Sequence, residues 1–222
     1  MIKFDGVIVD GGIGPLTFEV RAGETAKVIA GSDEDREDFI DVLLGLRRPG
    51  AGSVHHLGKD IYSISDAGYI KLFRRVGVVP ESGGLISNLK VWENIALPVS
   101  YHGARGARVL KESESRAAEI FADIGLAGDS LKALMGRLPG PLSSYEKKLI
   151  GLVRAMLMEP EIMIYDSLFD GLSPEFRDKL LRLTGKFNEG RASVYISSNA
   201  LSLDGVSAGL TIDLSSLGEA KA

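Results

Sequence analysis

Residues 31–38, GSDEDRED, carry five carboxylates within six positions, at a place where many α/β proteins hold a phosphate. An apolar run, VIA, precedes the segment, and FIDVLLGL follows it with helical spacing, so the pattern predicts a strand, a turn and a helix. One carboxylate about 4 Å from a phosphate charge costs about 4 kcal/mol at an effective dielectric constant of about 20. The acids therefore either stabilise their own helix, with Ser32 or Asp33 as its cap, or bind Ca²⁺ or Mg²⁺.

The composition bounds the class of protein. The chain has 222 residues, 45% of them hydrophobic, which is enough for one large domain with a sizeable core. Its net charge of −4 gives no electrostatic support for a nucleic-acid partner, and the absence of cysteine excludes disulfides and thiolate metal sites. The first residues, MIKFDGVIVDGG, lack the basic flank of a signal peptide, and no window approaches 18 consecutive apolar residues. We therefore expect a cytoplasmic globular protein.

The order of predicted elements indicates an α/β fold. LTFEVRAGETAKVIAG predicts a hairpin feeding a buried strand, and further apolar strands are predicted at residues 76–79, EIMIYD, ASVYISSN and GLTIDL. Residues 89–157 have mainly helical spacing, and a later helix begins at Ser173 as cap with Pro174 in its first turn. This order predicts one domain, residues 1–222, with a mainly parallel sheet and a helical subdomain inserted between residues 86 and 150.

Four isolated side chains are expected to be structural. His55 and His56 are predicted to lie in an exposed hairpin, since a metal site there would need further ligands. Trp92 is expected to pack in the core. Phe18 alternates with Leu16 and Val20, so we expect it to be buried rather than to form a platform for a base.

The landmarks, taken in order, resemble the nucleotide-binding domain of ABC transporters over almost the whole chain. RRVGVVPESGGLISNLKVWENIALPVSYHG resembles that family's Q-loop and the start of its helical subdomain, and LPGPLSSYEKKLIGLVRAMLMEPEIMIYDSLFDGLSPE resembles its signature helix, Walker B strand and D-loop. Within the family, SGGLISNLKVWENIALPVSYHG is most similar to the Mce-type lipid-transport ATPases. The resemblance implies a P-loop NTPase-like core, with flanking helices around the sheet and an N-terminal antiparallel β portion.

The resemblance also implies roles for the acidic segment, aligned on FIDVLLGL. Arg36 takes the place of the phosphate-loop lysine, Glu37 that of the Mg²⁺-binding hydroxyl, and Asp33 and Asp35 those of two glycines. Arginine keeps the positive charge but not the geometry of lysine, and aspartate lacks the backbone freedom of glycine. The degenerate nucleotide-binding positions are Gly31, Ser32, Asp33, Asp35, Arg36, Glu37 and Asp38.

The catalytic positions implied by the resemblance depart from the family pattern as well. Glu81 replaces the Q-loop glutamine but keeps an oxygen that could ligate a cation, and Asp166 keeps the Walker B carboxylate and is the metal candidate. Ser167 replaces the catalytic glutamate and cannot act as a base near neutral pH, and Ser198 replaces the switch histidine.

The signature positions depart in the same direction. Ser143 is kept, but Ser144 and Tyr145 replace the glycines that lie against the partner's γ-phosphate. We expect Tyr145 to fill that gap.

Together these departures predict a noncatalytic pseudo-ATPase with no catalytic residue and no cofactor, and with a structural or regulatory role in a membrane transport complex that moves lipid. Its expected partners are an ABC permease, through Glu81–Tyr101, or a second ABC ATPase subunit in a dimer, or both, at the inner face of the cell membrane. One alternative is an active ABC ATPase with relocated ligands, in which Glu81 or Glu34 is the base, Arg36 clamps phosphate, and ATP and Mg²⁺ are bound. The other is a stand-alone scaffold with the ABC fold.

Overall fold

A computed structural model describes residues 1–9, 12–102 and 107–218 of the chain. The strands are β1 (Ile2–Val9), β2 (Ile13–Val20), β3 (Thr25–Ile29), β4 (Ala51–His56), β5 (Lys59–Asp60), β6 (Val76–Val79), β7 (Ile162–Asp166), β8 (Ala192–Ser197) and β9 (Leu210–Asp213). The helices are α1 (Asp33–Leu44), α2 (Asp66–Phe73), α3 (Val91–His102), α4 (Ala107–Asp123), α5 (Gly128–Met135), α6 (Ser144–Met156), α7 (Pro174–Phe187) and α8 (Ser215–Gly218), with a 3₁₀ turn at Ala200–Leu203.

The strands form two sheets. The first is antiparallel, in the order β2-β1-β4-β5, and the second has the order β6-β7-β8-β3-β9 with every pairing parallel. The predicted α/β architecture, with a parallel sheet, an N-terminal antiparallel portion and flanking helices, is confirmed.

Each face of the parallel sheet packs into its own core. In β7, Ile162 and Ile164 join a core with α1 and the antiparallel sheet, whereas Met163 and Tyr165 join a core with α6 and α7. Because successive strand residues point to opposite faces, a strand buried on both faces must be continuously apolar. This requirement explains the sequence IMIY, and it fixes Asp166 at the end of the strand, where the sheet meets solvent.

The helical insert lies between β6 and β7 in the chain. It contains α3, α4 and α5, and the predicted subdomain boundary at residue 150 falls inside α6, so the domain division stays a prediction. The buried side chain of Asn94 fixes the loop that leads into α3. Its Oδ1 accepts from the backbone N–H of Ile86 at 2.7 Å, and its Nδ2 donates to the carbonyls of Ile86, Leu89 and Lys90. Among the described helices, none combines the length and apolarity needed to cross a membrane.

The prediction of an exposed histidine pair is wrong for His56. Strand β4 pairs with β1, with Ile2 opposite His56, so His56 shares the buried face with Val54 and its ring lies 5.5 Å from that of Phe73. Burial lowers the pKa of His56 to about 3, which keeps the ring neutral at pH 7. Neither ring nitrogen has a hydrogen-bond partner within the described ranges.

Phe18 and Trp92 both pack against a hydrophobic core, as predicted, but each is only partly buried. Phe18 stacks on Phe4 with ring centroids 4.6 Å apart, and Phe4 stacks in turn on Phe39 of α1. Trp92, at the start of α3, packs half-buried against the helical core.

Gly151 of α6 makes a close backbone contact that only glycine permits. A Cβ at this position would lie 2.4 Å from the carbonyl oxygen of Gly83, so the loop would have to move. Gly151→Ala is therefore expected to lower the free energy of unfolding by about 1–3 kcal/mol, although alanine is the better helix former. The matched control is Gly185→Ala in α7, where a Cβ meets no atom within 4 Å and the helix is expected to gain up to about 1 kcal/mol. Urea denaturation of both variants measures the free energy of unfolding. Equal changes in the two variants would contradict the close contact between Gly151 and the carbonyl of Gly83.

Candidate functional site

The candidate site lies at the carboxyl edge of the parallel sheet. Because β3, β6, β7 and β8 run in the same direction, the residues that follow them meet at one edge, which is where open α/β sheets bind ligands. Glu81 follows β6, Asp166 ends β7 and Ser198 follows β8, while three residues separate the end of β3 from the start of α1. The fold therefore brings together groups that are up to 165 positions apart in the chain.

Helix α1 begins at Asp33, so the acidic segment belongs to the helix itself. Ser32 has extended backbone and is its N-cap, with its hydroxyl accepting from the backbone N–H of Asp35 at 3.1 Å. Asp33, Glu34 and Asp35 occupy the first turn, where carboxylates interact favourably with the helix dipole. The predicted capping by Ser32 is confirmed.

Arg36 is the centre of the site. The residue is only 3% exposed, and its guanidinium binds three carboxylates: Nη1 that of Asp166, Nη2 that of Glu81 at 3.1 Å, and Nε that of Asp33 at 3.4 Å. Burial alone would lower the pKa of Arg36, but the carboxylates of Asp166, Glu81 and Asp33 outweigh it and raise that pKa above its ordinary value. The guanidinium therefore stays charged, and its one positive charge is offset by more than one negative charge.

Two further hydrogen bonds close this network. The hydroxyl of Ser198 donates to Asp33 Oδ1 at 2.7 Å, and together with Arg36 it holds the pKa of Asp33 below its ordinary value. The backbone N–H of Glu81 donates to Asp166 Oδ2 at 3.2 Å. We call these five residues, Asp33, Arg36, Glu81, Asp166 and Ser198, the Arg36 cluster.

Other predicted positions of the acidic segment lie at the margin of the cluster. Glu37 Oε1 lies 3.6 Å from Arg36 Nη2, and Asp38 points away to pair with Arg47. At Gly31 a Cβ would meet Asp35 Oδ2 at 3.1 Å and Ser215 Cβ at 3.2 Å, so the position leaves little room for a side chain.

Ser167 forms a buried corner of the backbone after β7. It adopts the left-handed conformation with φ of 48°, and it is 1% exposed. Its carbonyl accepts from Lys148 Nζ at 2.6 Å, and Lys148 also donates to the carbonyl of Asp170 at 2.9 Å. Burial lowers the pKa of Lys148, an effect that the Asp170 carboxylate partly offsets.

Lys148 is a site residue that the sequence reasoning missed. The available signal was its helical register, because Lys148 precedes Leu152 by four positions and therefore shares the buried stripe of α6.

The signature positions begin α6 and lean towards α7. Ser143 is the N-cap and forms a capping box with Glu146, whose carboxylate accepts from the Ser143 backbone N–H at 2.7 Å. Tyr145 is half-buried and stacks on Phe176 with ring centroids 3.9 Å apart. In the part of the chain that the structure describes, no hydrogen bond or ion pair joins Ser143, Ser144 or Tyr145 to the Arg36 cluster. The expected role of Tyr145 at a partner's phosphate stays a prediction.

The side chains of the cluster fit a magnesium nucleotide by their chemistry. Carboxylate oxygens, as in Glu81 and Asp166, are the ligands that Mg²⁺ prefers, and Mg²⁺ sites combine one or two carboxylates with substrate phosphates. Arg36 is suited to phosphate. Among the described residues, no group of three or more His, Cys, Asp or Glu side chains is arranged to hold a metal alone. The carboxylates of Glu81 and Asp166 would repel a phosphate that arrives without a cation, but they suit the Mg²⁺ that accompanies a nucleotide.

Comparison with known proteins identifies the class to which this fold and site belong. A family model described as ABC transporter matches residues 15–169, and the chain belongs to that family. It is 31% identical over 173 residues to the methionine import ATP-binding protein MetN of Caulobacter vibrioides, covering 78% of this chain and 49% of the relative. The MetN protein of Xylella fastidiosa is 29% identical over 174 residues, with the same coverage. The chain therefore spans about half the length of these curated relatives.

Solved structures give the same fold. A dimeric bacterial ABC transporter cassette superposes with a TM-score of 0.79 at 20% identity, covering 96% of this chain and 95% of that one. A dimeric ATP-binding cassette in a post-hydrolysis state with ADP and phosphate superposes with a TM-score of 0.77, also at 20% identity. This match covers 91% of this chain and 90% of that one.

These comparisons contradict two predictions made from the sequence, that the chain is noncatalytic and that it needs no cofactor. The matching family model is described as ABC transporter, the curated relatives are named ATP-binding proteins, and one solved cassette of this fold is in a post-hydrolysis state with ADP and phosphate. The predictions were wrong because each replaced position was judged alone, whereas the structure gathers Arg36, Glu81 and Asp166 into one cluster. The resemblance to Mce-type ATPases and its implied lipid substrate stay predictions.

Proposed function

We propose that this chain is the ATP-binding subunit of an ABC transport complex and that it binds and hydrolyses Mg-ATP with relocated ligands. The observation that carries the proposal is the convergence of Arg36, Glu81 and Asp166 at the carboxyl edge of the sheet. Membership of the ABC transporter family and the names of the MetN relatives support the ATP-binding role.

The proposed roles follow from the charges in the cluster. Arg36 contacts phosphate oxygens from the first turn of α1, and Asp166 is the carboxylate that holds Mg²⁺. Bound Mg²⁺ supplies the positive charge that phosphoryl transfer requires. If Asp166 held Mg²⁺, its Oδ1 would no longer accept from Arg36, which would free the guanidinium for phosphate while Glu81 remained available as a base.

Glu81 is the proposed general base. Its side chain is 55% exposed and therefore reachable by water, and its Oε2 alone accepts from Arg36, which leaves Oε1 without a hydrogen-bond partner among the described residues. Ser167 cannot take this role because its hydroxyl is a poor base and the residue is buried. Ser198 is committed to Asp33.

The proposed partners are a permease and a second ATPase subunit in a dimer at the inner face of the cell membrane. The region Glu81–Tyr101 contains exposed apolar side chains, with Ile86 at 42% and Tyr101 at 80% exposure. A cleft of about 340 Å³ beside this region is lined by apolar residues that include Tyr69, Phe73 and Pro98. These features suit an apolar segment of a membrane partner, and the MetN names support an import system.

Steady-state phosphate release tests the proposed base. Glu81→Gln is expected to lower the rate of ATP hydrolysis by about 10²–10⁴-fold, because a neutral amide cannot accept the proton of the attacking water. Glu34→Gln is the matched control, since Glu34 is exposed in the first turn of α1 and makes no hydrogen bond or ion pair among the described residues. Arg36→Ala is also expected to abolish turnover. If both variants lost the same fraction of the hydrolysis rate, or if neither lost any, the assignment of Glu81 as general base would be wrong.

A further inference from the structure

Asp33 is the carboxylate of the Arg36 cluster that is neither the proposed Mg²⁺ ligand nor the proposed base. Arg36 Nη1 donates to Asp166, the proposed ligand, and Nη2 donates to Glu81, the proposed base. The third nitrogen, Nε, donates to Asp33. Because the guanidinium is planar and rigid, a contact at Nε fixes the directions of both Nη donors. Asp33 is therefore placed to orient Arg36 without taking part in the chemistry.

The contact between Asp33 and Arg36 depends on where the Asp33 carboxylate is held. Its Oδ1 lies 3.4 Å from Arg36 Nε, beyond the usual range of a hydrogen bond, so the contact acts mainly through charge. The Asp33 side chain is 77% exposed, and holding an exposed charged side chain in one geometry costs conformational entropy. A second contact is needed to keep the carboxylate in place.

Ser198 supplies this contact from a different element. Its hydroxyl donates at 2.7 Å to the same atom, Asp33 Oδ1, although Ser198 lies 165 positions further along the chain. This hydrogen bond is the largest cause of the lowered pKa of Asp33, ahead of the charge of Arg36. Ser198 follows β8, which lies between β7 and β3 in the middle of the parallel sheet. The first turn of α1 is thereby tied to the edge of that sheet.

We propose that Ser198 is a positioning residue, which through Asp33 holds the guanidinium of Arg36 in the orientation that binds phosphate. Ser198 need not touch the nucleotide for this role, because its hydroxyl donates to Asp33. A preorganised donor loses less rotational freedom when its ligand binds, so the expected effect is on affinity. The link to phosphate rests on the proposed function, whereas the effect of Ser198 on Arg36 does not.

The test compares Ser198→Ala, which removes the hydroxyl and changes no charge, with Ser198→Thr, which keeps the hydroxyl. Ser198→Ala is expected to raise KM for Mg-ATP by about 3- to 10-fold, as for the loss of one hydrogen bond, and to change kcat by less than about twofold. Ser198→Thr is expected to stay within about twofold of the native chain in both constants. A loss of folded protein would lower kcat and leave KM unchanged, so the two constants distinguish positioning from a merely structural role.

Two further measurements follow the effect through Asp33 to Arg36. In the Asp33→Ala background, Ser198→Ala is expected to cause no further change in KM, because the residue through which it acts is gone. In ¹H–¹⁵N spectra recorded without nucleotide, the signal of the Arg36 Nε–H group is assigned by its loss in Arg36→Lys. This signal is expected to shift in Ser198→Ala and to stay in place in Ser198→Thr.

The outcomes separate this proposal from the proposed function. The positioning role is overturned by an unchanged KM in Ser198→Ala, by equal changes in Ser198→Ala and Ser198→Thr, or by an undiminished effect of Ser198→Ala in the Asp33→Ala background. If the native chain neither binds nor hydrolyses Mg-ATP, the proposed function fails, and the Nε–H signal decides the case. A shift confined to Ser198→Ala then supports the link from Ser198 to Arg36, and an unchanged signal overturns it.

Discussion

Arg36→Met is expected to lower the free energy of unfolding by about 3–5 kcal/mol, the largest effect we predict for any side chain of the site. The Asp166 side chain is only 13% exposed, and removing Arg36 leaves its carboxylate buried beside Glu81 without the guanidinium that balances it. Breaking a buried ion pair by removing one partner typically costs this much. Asp33 and Glu81 contribute little to the loss because their side chains are mostly exposed.

Urea denaturation at pH 7 measures the effect. Arg75→Met is the matched control, because Arg75 pairs with Glu161 at the surface, where both side chains are about half exposed, and its loss is expected to cost no more than about 1 kcal/mol. The double variant Arg36→Met with Asp166→Asn is expected to recover part of the loss, since it removes the uncompensated charge. Similar losses in the Arg36 and Arg75 variants would show that the buried pair contributes no more than a surface pair.

The second large effect that we expect is on the pH dependence of stability. The free energy of unfolding of the native chain should fall relative to that of His56→Leu as the pH falls. In the unfolded chain a histidine with its ordinary pKa near 6.5 gains a proton as the pH falls, whereas folded His56 stays neutral until the pH approaches about 3. The unfolded state therefore binds more protons between these values. The contribution of His56 to stability is fully present above pH 6.5 and is lost as the pH falls, by about 1.4 kcal/mol per pH unit.

Unfolding free energies at pH 7, 6, 5 and 4 test this linkage. The carboxylates titrate in both proteins and cancel in the difference, so the native chain should lose stability relative to His56→Leu below pH 6. His55→Leu is the control, because His55 is only partly buried and its ring accepts or donates a hydrogen bond with Ser53. A difference between native and His56→Leu that stays constant with pH would show that His56 titrates normally in the fold.

The parts of the fold that follow from short-range patterns could be predicted from the sequence. Strand β6 at Val76–Val79 and the end of β7 at Asp166 are continuous apolar runs bounded by polar residues. The start of α7 is encoded by Ser173 as cap and Pro174 in the first turn. These signals require no knowledge of which elements are neighbours in space.

Features that depend on packing between distant elements could not be predicted. The burial of His56 follows from the register of β4 against β1, and that of Lys148 from the docking of α6 beneath the turn at Ser167. The contact between Arg36 and Asp166 joins residues 130 positions apart. A comparison of residue types position by position detected every lost group of the phosphate loop, but it could not show that the remaining charged groups form one cluster.

Calorimetric titration of the chain with ATP, with and without Mg²⁺, tests whether the chain binds Mg-ATP. We expect saturable binding that requires Mg²⁺, because Asp33, Glu81 and Asp166 repel an unshielded triphosphate, and Asp166 would free Arg36 only if it held the cation instead. We also expect that folded Arg36→Ala protein loses this binding. No heat of binding at millimolar ATP with Mg²⁺ present would contradict the proposal that this chain is an ATP-binding subunit.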